Sequence, residues 1–312
     1  MSTKANAQLS TQLSTQRKNN NPMWYFVTAS ACSIARRKFV FIKNYTVNIF
    51  CIVLGGVVSS TYAQQNELPS PDRLILKQSR SLELSIGAQK LTAGYSSWRD
   101  VTVRGTIDTG AHVLQGELAV KNEFDKSGTF LGGSNVFELN RDWYASVSAG
   151  AGDGAFYLPR FRTDGFIHKK WLDKRNLVTS LGLGYYRAPD GHVDRSLTLS
   201  AMMYFDAPWV VEGGVRYNRS SPGAIMTHQK FVAVTYGRDK QDQLSGRYAW
   251  GGEGYQSIAE NATLVNFQSQ EASLLWRHWM SPRTGFLVDV NHYRNPTYER
   301  SGAHVGVFQQ FD

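Results

Sequence analysis

The chain has 312 residues, with 34 Lys and Arg against 25 Asp and Glu, which gives a formal net charge of +9 at pH 7. The basic residues are scattered among carboxylates rather than gathered in a stripe, which disfavours a nucleic-acid partner. Both cysteines, Cys32 and Cys51, lie near the amino terminus. A chain cleaved after residue 63 would contain no thiol, which excludes disulfides, thiolate nucleophiles and cysteine-bound metals.

The amino-terminal segment is typical of a leader followed by an export signal. Residues 1–35 are rich in Ser, Thr, Gln and Asn, so we expect a disordered leader or a start assigned too early, with Met23 as the alternative start. Residues 36–63 join a basic stretch, RRKFVFIK, to an apolar stretch, YTVNIFCIVLGGVVSS, and end in Thr-Tyr-Ala. This order predicts a cleavable secretory signal peptide, with an uncleaved anchor as the alternative. The apolar stretch is shorter than the roughly 20 residues of a spanning helix.

Short runs of alternating apolar and polar residues follow from residue 82, and this period of two is the pattern of β-strands with one apolar face. Residues 64–81 are interpreted as a linker and residues 82–312 as an all-β domain. The predicted strands are 82–89, 98–107, 113–122, 134–140, 143–150, 161–171, 177–186, 194–205, 209–218, 228–237, 243–250, 268–279, 285–293 and 302–311. Fourteen strands are predicted, and twelve are the alternative if two runs are misread.

The connections between these runs alternate in length. Short turns such as 206–208 follow the even runs, and longer segments such as 251–267 follow the odd runs. A transmembrane antiparallel up-and-down β-barrel has this plan, with short periplasmic turns and long extracellular loops. A soluble sandwich mixes long and short connections at both ends. The sequence therefore predicts a barrel in the bacterial outer membrane.

Large aromatic residues accompany the short turns. Rings with an apolar body and a polar tip favour the headgroup level of a bilayer. The predicted aromatic girdle consists of Trp143, Trp171, Phe205, Trp209, Tyr236, Trp279 and Phe286. Ordinary packing at the end of a sandwich is the alternative for any single member.

The alternation also separates a lipid face from a lumen face. Outward rows such as Leu82, Leu84 and Ile86 carry no charge, and a charge there would cost about 2 to 4 kcal/mol at the bilayer midplane. The predicted lumen-lining residues are Glu83, Arg104, Asp108, Glu117, Lys121, Arg162, Asp164, Glu212, Arg216, Arg247 and Asp289. Two interpretations stay open: a salt-bridged plug, or a polar channel whose mixed lining favours sugars or small ions.

The chain shows no motif for chemistry. No histidine pair has a metal-binding spacing such as H-E-x-x-H, so we predict no metal, no cofactor and no catalytic residues. The Gly182-x-Gly184 step has no helix after it, so a crowded lumen explains these glycines better than phosphate binding. A lipase- or acyltransferase-type enzyme is the alternative, with the inner-face candidates His168, Ser146, Ser148 and Glu138. Aromatic candidates for stacking on sugars in the long loops are Tyr95, Phe156, Tyr157, Tyr255 and Tyr298.

Two longer stretches carry a family resemblance. LELSIGAQKLTAGYSSW, with its Tyr95-x-x-Trp98 step, and RTGFLVDVNHYRNPTYERSGAHVGVFQQF resemble the YaiO family of outer-membrane β-barrel proteins, over residues 75–312. The last strand ends on Phe311 and Asp312, close to the aromatic ending of barrels inserted by the outer-membrane machinery. The resemblance implies an outer-membrane location and an association with exopolysaccharide secretion, and it supplies no catalytic residues.

The functional prediction is a passive pore or an exopolysaccharide-associated export channel. A membrane-embedded lipid-modifying enzyme and a structural or adhesive barrel without transport are the alternatives. The expected partners are outer-membrane lipid, the barrel-insertion machinery, and polysaccharide or sugars.

Overall fold

A computed structural model describes residues 46–47, 66–67 and 79–311 of the chain. The predicted leader lies outside the described residues, as do nearly all of the predicted signal peptide and most of the linker. Thr46–Val47 pairs with Asn66–Glu67 in a two-residue antiparallel ladder. Within the described ranges, no helix is long and apolar enough to span a membrane.

Residues 79–311 form fourteen antiparallel strands that close into one barrel. The strands are β1 (Ser79–Leu91), β2 (Trp98–Asp108), β3 (His112–Glu123), β4 (Lys126–Glu138), β5 (Trp143–Gly152), β6 (Phe161–Trp171), β7 (Leu177–Arg187), β8 (Val193–Tyr204), β9 (Trp209–Ser221), β10 (Ile225–Gly237), β11 (Gln243–Ala259), β12 (Ala262–Trp279), β13 (Thr284–Arg294) and β14 (Glu299–Phe311). Each strand pairs with its neighbours in sequence, and β14 pairs with β1 to close the ring. Closure gives every strand a hydrogen-bonded neighbour on each side, and a bilayer would not tolerate an open sheet edge. The predicted up-and-down barrel of fourteen strands is confirmed.

Alternation along each strand separates two faces of different chemistry. In β1, Leu84 and Ile86 point outward with 45% and 54% of their surface exposed, whereas Glu83 and Ser85 between them are buried. In β2, Val101 and Val103 are exposed and Arg104 is buried. The outer face is therefore apolar and the inner face polar, as the period of two predicts.

The two rims of the barrel differ in their connections. At one rim, the turn rim, the connections are 109–111, 139–142, 172–176, 205–208, 238–242 and 280–283. At the other, the loop rim, they are 92–97, 124–125, 153–160, 188–192, 222–224, 260–261 and 295–298.

The prediction of a long loop after every odd strand was wrong. Most of the segments 123–133, 219–228 and 251–267 is paired strand that ends in a tight turn. The alternation fades in these segments while the backbone ladder continues, because pairing of amides and carbonyls does not require one face to be apolar. The strands therefore extend further at the loop rim than the sequence pattern indicates.

Apolar clusters fill both ends of the barrel interior. Towards the turn rim, one cluster contains Val136, Tyr144, Val178, Met202, Tyr204 and Val210. Towards the loop rim, a second contains Leu91, Trp98, Tyr293 and Tyr298, and a third contains Ala155, Tyr157 and Leu158. Buried charged side chains, among them Arg104, Arg216 and Asp289, lie between these ends.

Candidate functional site

The inner face of the barrel is the candidate site, and the structure places all eleven predicted lumen residues on it. Seven of them are almost completely buried, with exposed fractions between 1% and 7%: Glu83, Arg104, Lys121, Asp164, Glu212, Arg216 and Asp289. Asp108, Glu117, Arg162 and Arg247 are partly buried. A wide water-filled channel would expose such side chains, so the interior of the described barrel is packed in this conformation.

A four-residue chain of ion pairs lies nearer the turn rim. The register aligns Glu83 of β1 with Arg104 of β2, and Arg104 with Glu117 of β3. Arg104 donates to Glu83 Oε1 at 3.0 Å and to Glu117 Oε2 at 2.6 and 3.1 Å. Alternating charge on three adjacent strands therefore follows directly from strand pairing.

A fourth residue extends this chain along the wall. Arg277 of β12 donates to Glu83 Oε2 at 2.9 Å, although β13 and β14 lie between their strands. The Arg277 guanidinium carbon lies 3.8 Å from the ring centroid of Phe308 on β14. The Arg277 and Glu83 side chains together thus bridge three strand spacings of the curved wall, each about 4.8 Å, while the guanidinium rests on an inward ring. Arg277 was not among the predicted lumen residues, although it lies in the inward phase of its strand.

A second group of charges lies nearer the loop rim. His304 contacts Asp100 at 3.0 Å through Nε2 and Asp289 at 3.6 Å through Nδ1. Arg300, which is 2% exposed, lies 3.3 Å from Glu271 and stacks near aromatic rings. Neither His304 nor Arg300 was predicted to lie on the inner face, and Arg300 was predicted to lie in a loop. The signal that could have found them is the in–out alternation of β14.

The inner-face serine and histidine candidates for an enzyme are brought together without a catalytic arrangement. Ser146 Oγ lies 3.1 Å from His168 Nε2, and His168 Nδ1 lies 2.8 Å from Ser180 Oγ. The imidazole stacks on Tyr144 at 4.2 Å between ring centroids, and Glu138 contacts Lys170 at 3.1 Å instead. Ser146 and His168 are 4% and 7% exposed, so a substrate cannot reach the hydroxyl in this conformation, and the pair acts as a packed polar contact.

Inward glycines accommodate aromatic rings from neighbouring strands. The Phe166 ring covers Gly182 so closely that a methyl group at Gly182 would overlap it, and Gly184 faces Ser196 and Asp164 in the same way. Phe231 covers Gly214 similarly. The Gly182 and Gly184 positions therefore serve close packing in a crowded interior.

A long hairpin from the loop rim covers the mouth of the barrel. We call residues 252–267, the end of β11 and the start of β12 with their turn, the crossing hairpin. Gln256 donates to Tyr298 Oη at 2.7 Å and accepts from Asn295 at 2.9 Å. At its tip, Glu260 forms an ion pair of 2.8 Å with Lys126, and this contact holds the pKa of Glu260 below its usual value.

The predicted loop aromatics do not form an open platform. Tyr157 and Tyr298 are buried in the mouth, with exposed fractions of 7% and 2%. Tyr157 donates from its hydroxyl to the backbone carbonyls of Lys121 and Lys126. Tyr255 stacks on His192, with 5.0 Å between ring centroids. These rings pack against the barrel mouth.

Six of the seven predicted girdle residues lie on the outer face near the turn rim: Trp143, Trp171, Phe205, Trp209, Tyr236 and Phe286. Trp279 was wrongly assigned, because it shares the inward phase of Arg277 and packs edge-on against Phe308. Trp276, which the prediction omitted, points outward and packs against Phe286. The outer face therefore carries aromatic rings at the turn-rim ends of β5, β6, β9, β10, β12 and β13 and in the turn 205–208.

An exposed polar cluster accompanies these rings at the turn rim. Asp242, in the turn 238–242, accepts from Trp276 Nε1 at 2.9 Å and contacts His278 Nδ1 at 2.7 Å. The hydrogen bond with His278 lowers the pKa of Asp242, and that with Trp276 lowers it further. No group of three or more His, Cys, Asp and Glu side chains in the described residues is arranged to hold a metal ion.

A closed antiparallel barrel with an apolar outer face and a charged inner face defines the class of outer-membrane β-barrel proteins, and this chain is one of them. The family model described as the YaiO membrane beta barrel domain matches residues 79–256, which is more than half of the chain. The chain therefore belongs to the YaiO family. No curated protein matches it significantly in sequence.

Several solved structures are similar to this chain at low sequence identity. The structure titled "CymD monoaromatic hydrocarbon channel" is 6% identical, with a TM-score of 0.51 over 75% of this chain and 87% of that one. An anion-selective porin from Comamonas acidovorans is 12% identical, with a TM-score of 0.41 over 75% and 99% of the two chains. OprB from Pseudomonas putida is 6% identical, with a TM-score of 0.44 over 75% and 94%. At 6% identity the similarity to the first of these structures concerns fold and not cargo.

Proposed function

We propose that the barrel is a narrow outer-membrane channel for small polar solutes, closed in this conformation. The observation that supports this function is the charged inner face, on which residues of both signs run from the Arg104 region near the turn rim to the Arg300 region near the loop rim. Several of these charges form ion pairs with one another, and most of them are buried. The path is therefore polar between the two apolar ends, and in this conformation it is blocked by these charges together with the apolar clusters.

The chemistry of the interior favours a channel over an inert membrane anchor. Burying a charge has an effective desolvation cost of several kcal/mol, and apolar residues of similar volume often fill a core at least as well. An inert barrel could be packed with apolar side chains alone. Ion pairs that separate and re-form would open a polar path through the part of the interior between the two apolar ends.

The mixed lining also suggests the class of cargo. Glu83, Arg104 and Glu117 place both signs within one layer of the wall, so a strongly charged solute would meet a repelling group as well as an attracting one. We propose small neutral or zwitterionic solutes, such as short sugars. Export of an exopolysaccharide chain is the family-based alternative, and it requires the packed clusters at both ends to move apart.

Location and orientation belong to the same proposal. Residues 36–63 would act as a cleavable signal peptide for export across the inner membrane. The turn rim would face the periplasm and the loop rim the exterior, which is the usual arrangement of such barrels. Protease protection of an epitope placed in the turn 238–242 of intact cells would test this orientation.

Bilayer conductance tests the channel. Wild-type protein should give rare, small current steps, and the Arg104→Ser/Arg277→Ser variant should give larger or more frequent ones because two buried side chains no longer fill the wall. Arg175→Ser is the matched control, since Arg175 pairs with Asp142 in the turns of the turn rim. Unheated gel migration would establish that each barrel is folded. Folded protein that gives no steps above the lipid background in either form would overturn the proposal.

Liposome swelling separates the two cargo classes. If the channel takes small polar solutes, the Arg104→Ser/Arg277→Ser variant should admit a monosaccharide faster than a trisaccharide and should exclude dextran. Dextran entry at a comparable rate would favour polymer export instead. The same Arg175→Ser variant should behave as wild type.

A further inference from the structure

We propose that the crossing hairpin is a lid on the channel mouth, latched to the opposite wall by the Lys126–Glu260 ion pair. This inference rests on the proposed channel function, because it describes how the entrance of that channel is controlled. Three observations support the lid: the position of the hairpin in the barrel, the contacts beneath it and the backbone geometry at its base.

The latch joins opposite sides of the barrel. The crossing hairpin grows from β11 and β12, whereas Lys126 is the first residue of β4. In the closed ring of fourteen strands, β4 and β11 are seven positions apart, which is half of the circumference. An ion pair of 2.8 Å between Lys126 Nζ and Glu260 Oε1 therefore requires the hairpin to extend over the mouth rather than away from it.

Contacts beneath the hairpin hold it against the mouth. Gln256, which is 5% exposed, exchanges hydrogen bonds with Tyr298 and Asn295 of the β13–β14 connection. Tyr255 stacks on His192 of the β7–β8 connection and donates its hydroxyl to a backbone carbonyl in the β9–β10 turn. Ile258 packs against the apolar cluster around Trp98. The hairpin thus touches connections on several sides of the barrel.

The base of the hairpin carries two backbone positions that suit a bend. Gly251 has a φ of 139°, and a methyl group there would overlap the carbonyl oxygen of His228. Asn266, on the partner strand, has a φ of 51°, a conformation that Asn adopts more readily than most residues. Side chains change face at this level of β12, where Val265 and Gln268 are both exposed. The ladder therefore turns over the mouth at the place where the rest of the wall ends.

The chemistry of the latch permits reversible opening. The Lys126 and Glu260 side chains are 52% and 69% exposed, so water and salt compete for their charges. An exposed pair of this kind holds a hairpin weakly and releases it when the ionic strength rises. Once the latch is broken, the fraction of closed lid depends on the buried hydrogen bonds of Gln256.

Charge reversal tests the latch in the full-length protein. Lys126→Glu and Glu260→Lys each place like charges together, and the combined K126E/E260K variant restores an ion pair in the opposite sense. Each single variant should raise amide hydrogen exchange in residues 252–267 and should increase channel open probability about two- to fivefold, the range of an exposed ion pair. The combined variant should return both quantities to the wild-type values. Lys174→Glu, which breaks an exposed pair with Asp206 at the turn rim, is the control and should change neither.

Hydrogen exchange distinguishes failure of the lid from failure of the channel. Faster exchange in residues 252–267 of the single variants, with no conductance in any variant, would support the lid and count against the channel. If the protein conducts but hydrogen exchange in residues 252–267 is unchanged in the single variants, the lid is overturned and the channel proposal stands. Wild-type protein transferred from low to high NaCl provides a test without mutation, and exchange in this segment should rise. Gln256→Ala, which loses two buried hydrogen bonds, should raise exchange more than either latch variant.

Discussion

Replacing Arg104 by methionine probes whether the interior is packed with paired charges or open to water. Methionine retains much of the length of the arginine side chain and removes the guanidinium. In the native barrel this group bridges Glu83 and Glu117, and the Arg104 side chain is 8% exposed. The substitution therefore removes a shared cation between two inner-face carboxylates.

The expected loss of unfolding free energy depends on which ion-pair partners Glu83 and Glu117 keep. Removing one partner of a buried ion pair costs about 3 to 5 kcal/mol, because the other charge stays buried without compensation. Glu83 keeps its contact with Arg277 at 2.9 Å, whereas Glu117 loses contacts of 2.6 and 3.1 Å. One carboxylate rather than two loses its counter-charge, so we expect the lower end of this range, about 3 kcal/mol.

Urea unfolding in lipid vesicles, followed by tryptophan fluorescence, would measure this change. Combining Arg104→Met with Glu117→Gln should recover part of the loss, since the uncompensated charge is then removed, and the coupling between the two sites should be about 1 to 3 kcal/mol. Arg175→Met, in an exposed pair at the turn rim, is the control and should have little effect. If Arg104→Met changed stability by less than about 0.5 kcal/mol, as surface substitutions do, the interior charges would have to be hydrated and the packed interior would be refuted.

Three further predictions address the outer face, the packing of the interior and the turn rim. Leu118→Arg, at the middle of β3 on the outer face, should lower the unfolding free energy in bilayers by about 2 to 4 kcal/mol. Leu139→Arg, in a turn, is the control and should lower it by about 0 to 1 kcal/mol. Equal losses in urea titrations would contradict a lipid-facing β3. Gly182→Val should overlap the ring that covers this glycine and cost about 1 to 3 kcal/mol, and a wild-type urea midpoint would show that the contact is loose. Asp242 should titrate below the ordinary aspartate pKa of about 3.9 in carbon-detected NMR, with His278→Gln raising its pKa. Because the pKa of Asp242 is lower in the folded protein, its stabilising effect is complete above the ordinary aspartate pKa and is lost as the pH falls through the folded-state pKa. An ordinary pKa in both the wild type and the His278→Gln variant would disprove the contact.

Much of the barrel could be predicted because lipid imposes a strict pattern on one face. Rows such as Leu82, Leu84 and Ile86 repeat at every second residue, and this period identifies both the strand and the direction of each side chain. The alternation then predicts that Glu83 and Arg104 point into the barrel, even when their ion-pair partners are not known. The same rule places Trp279 inside the barrel, because its phase matches that of Arg277. Its position beside a turn led instead to the prediction of a girdle residue.

The rest depended on relations that no local pattern contains. Beyond the hydrocarbon both faces of a strand meet polar surroundings, so the period of two disappears although the ladder continues, and the crossing hairpin was predicted as a loop for this reason. The contacts between Arg277 and Glu83, and between Lys126 and Glu260, join residues that are 194 and 134 positions apart in sequence. Such pairs depend on the curvature and closure of the whole ring.

The continuation of strands at the loop rim has a consequence for digestion by proteases. A protease binds its substrate as an extended, unpaired segment, and exposed loop tips are the usual sites of cleavage. Here the chain beyond the apolar band is largely engaged in its own ladder, and the connections at 124–125 and 260–261 are two residues long. Trypsin should therefore leave the folded barrel whole under conditions that degrade the urea-unfolded chain, despite the abundance of lysine and arginine.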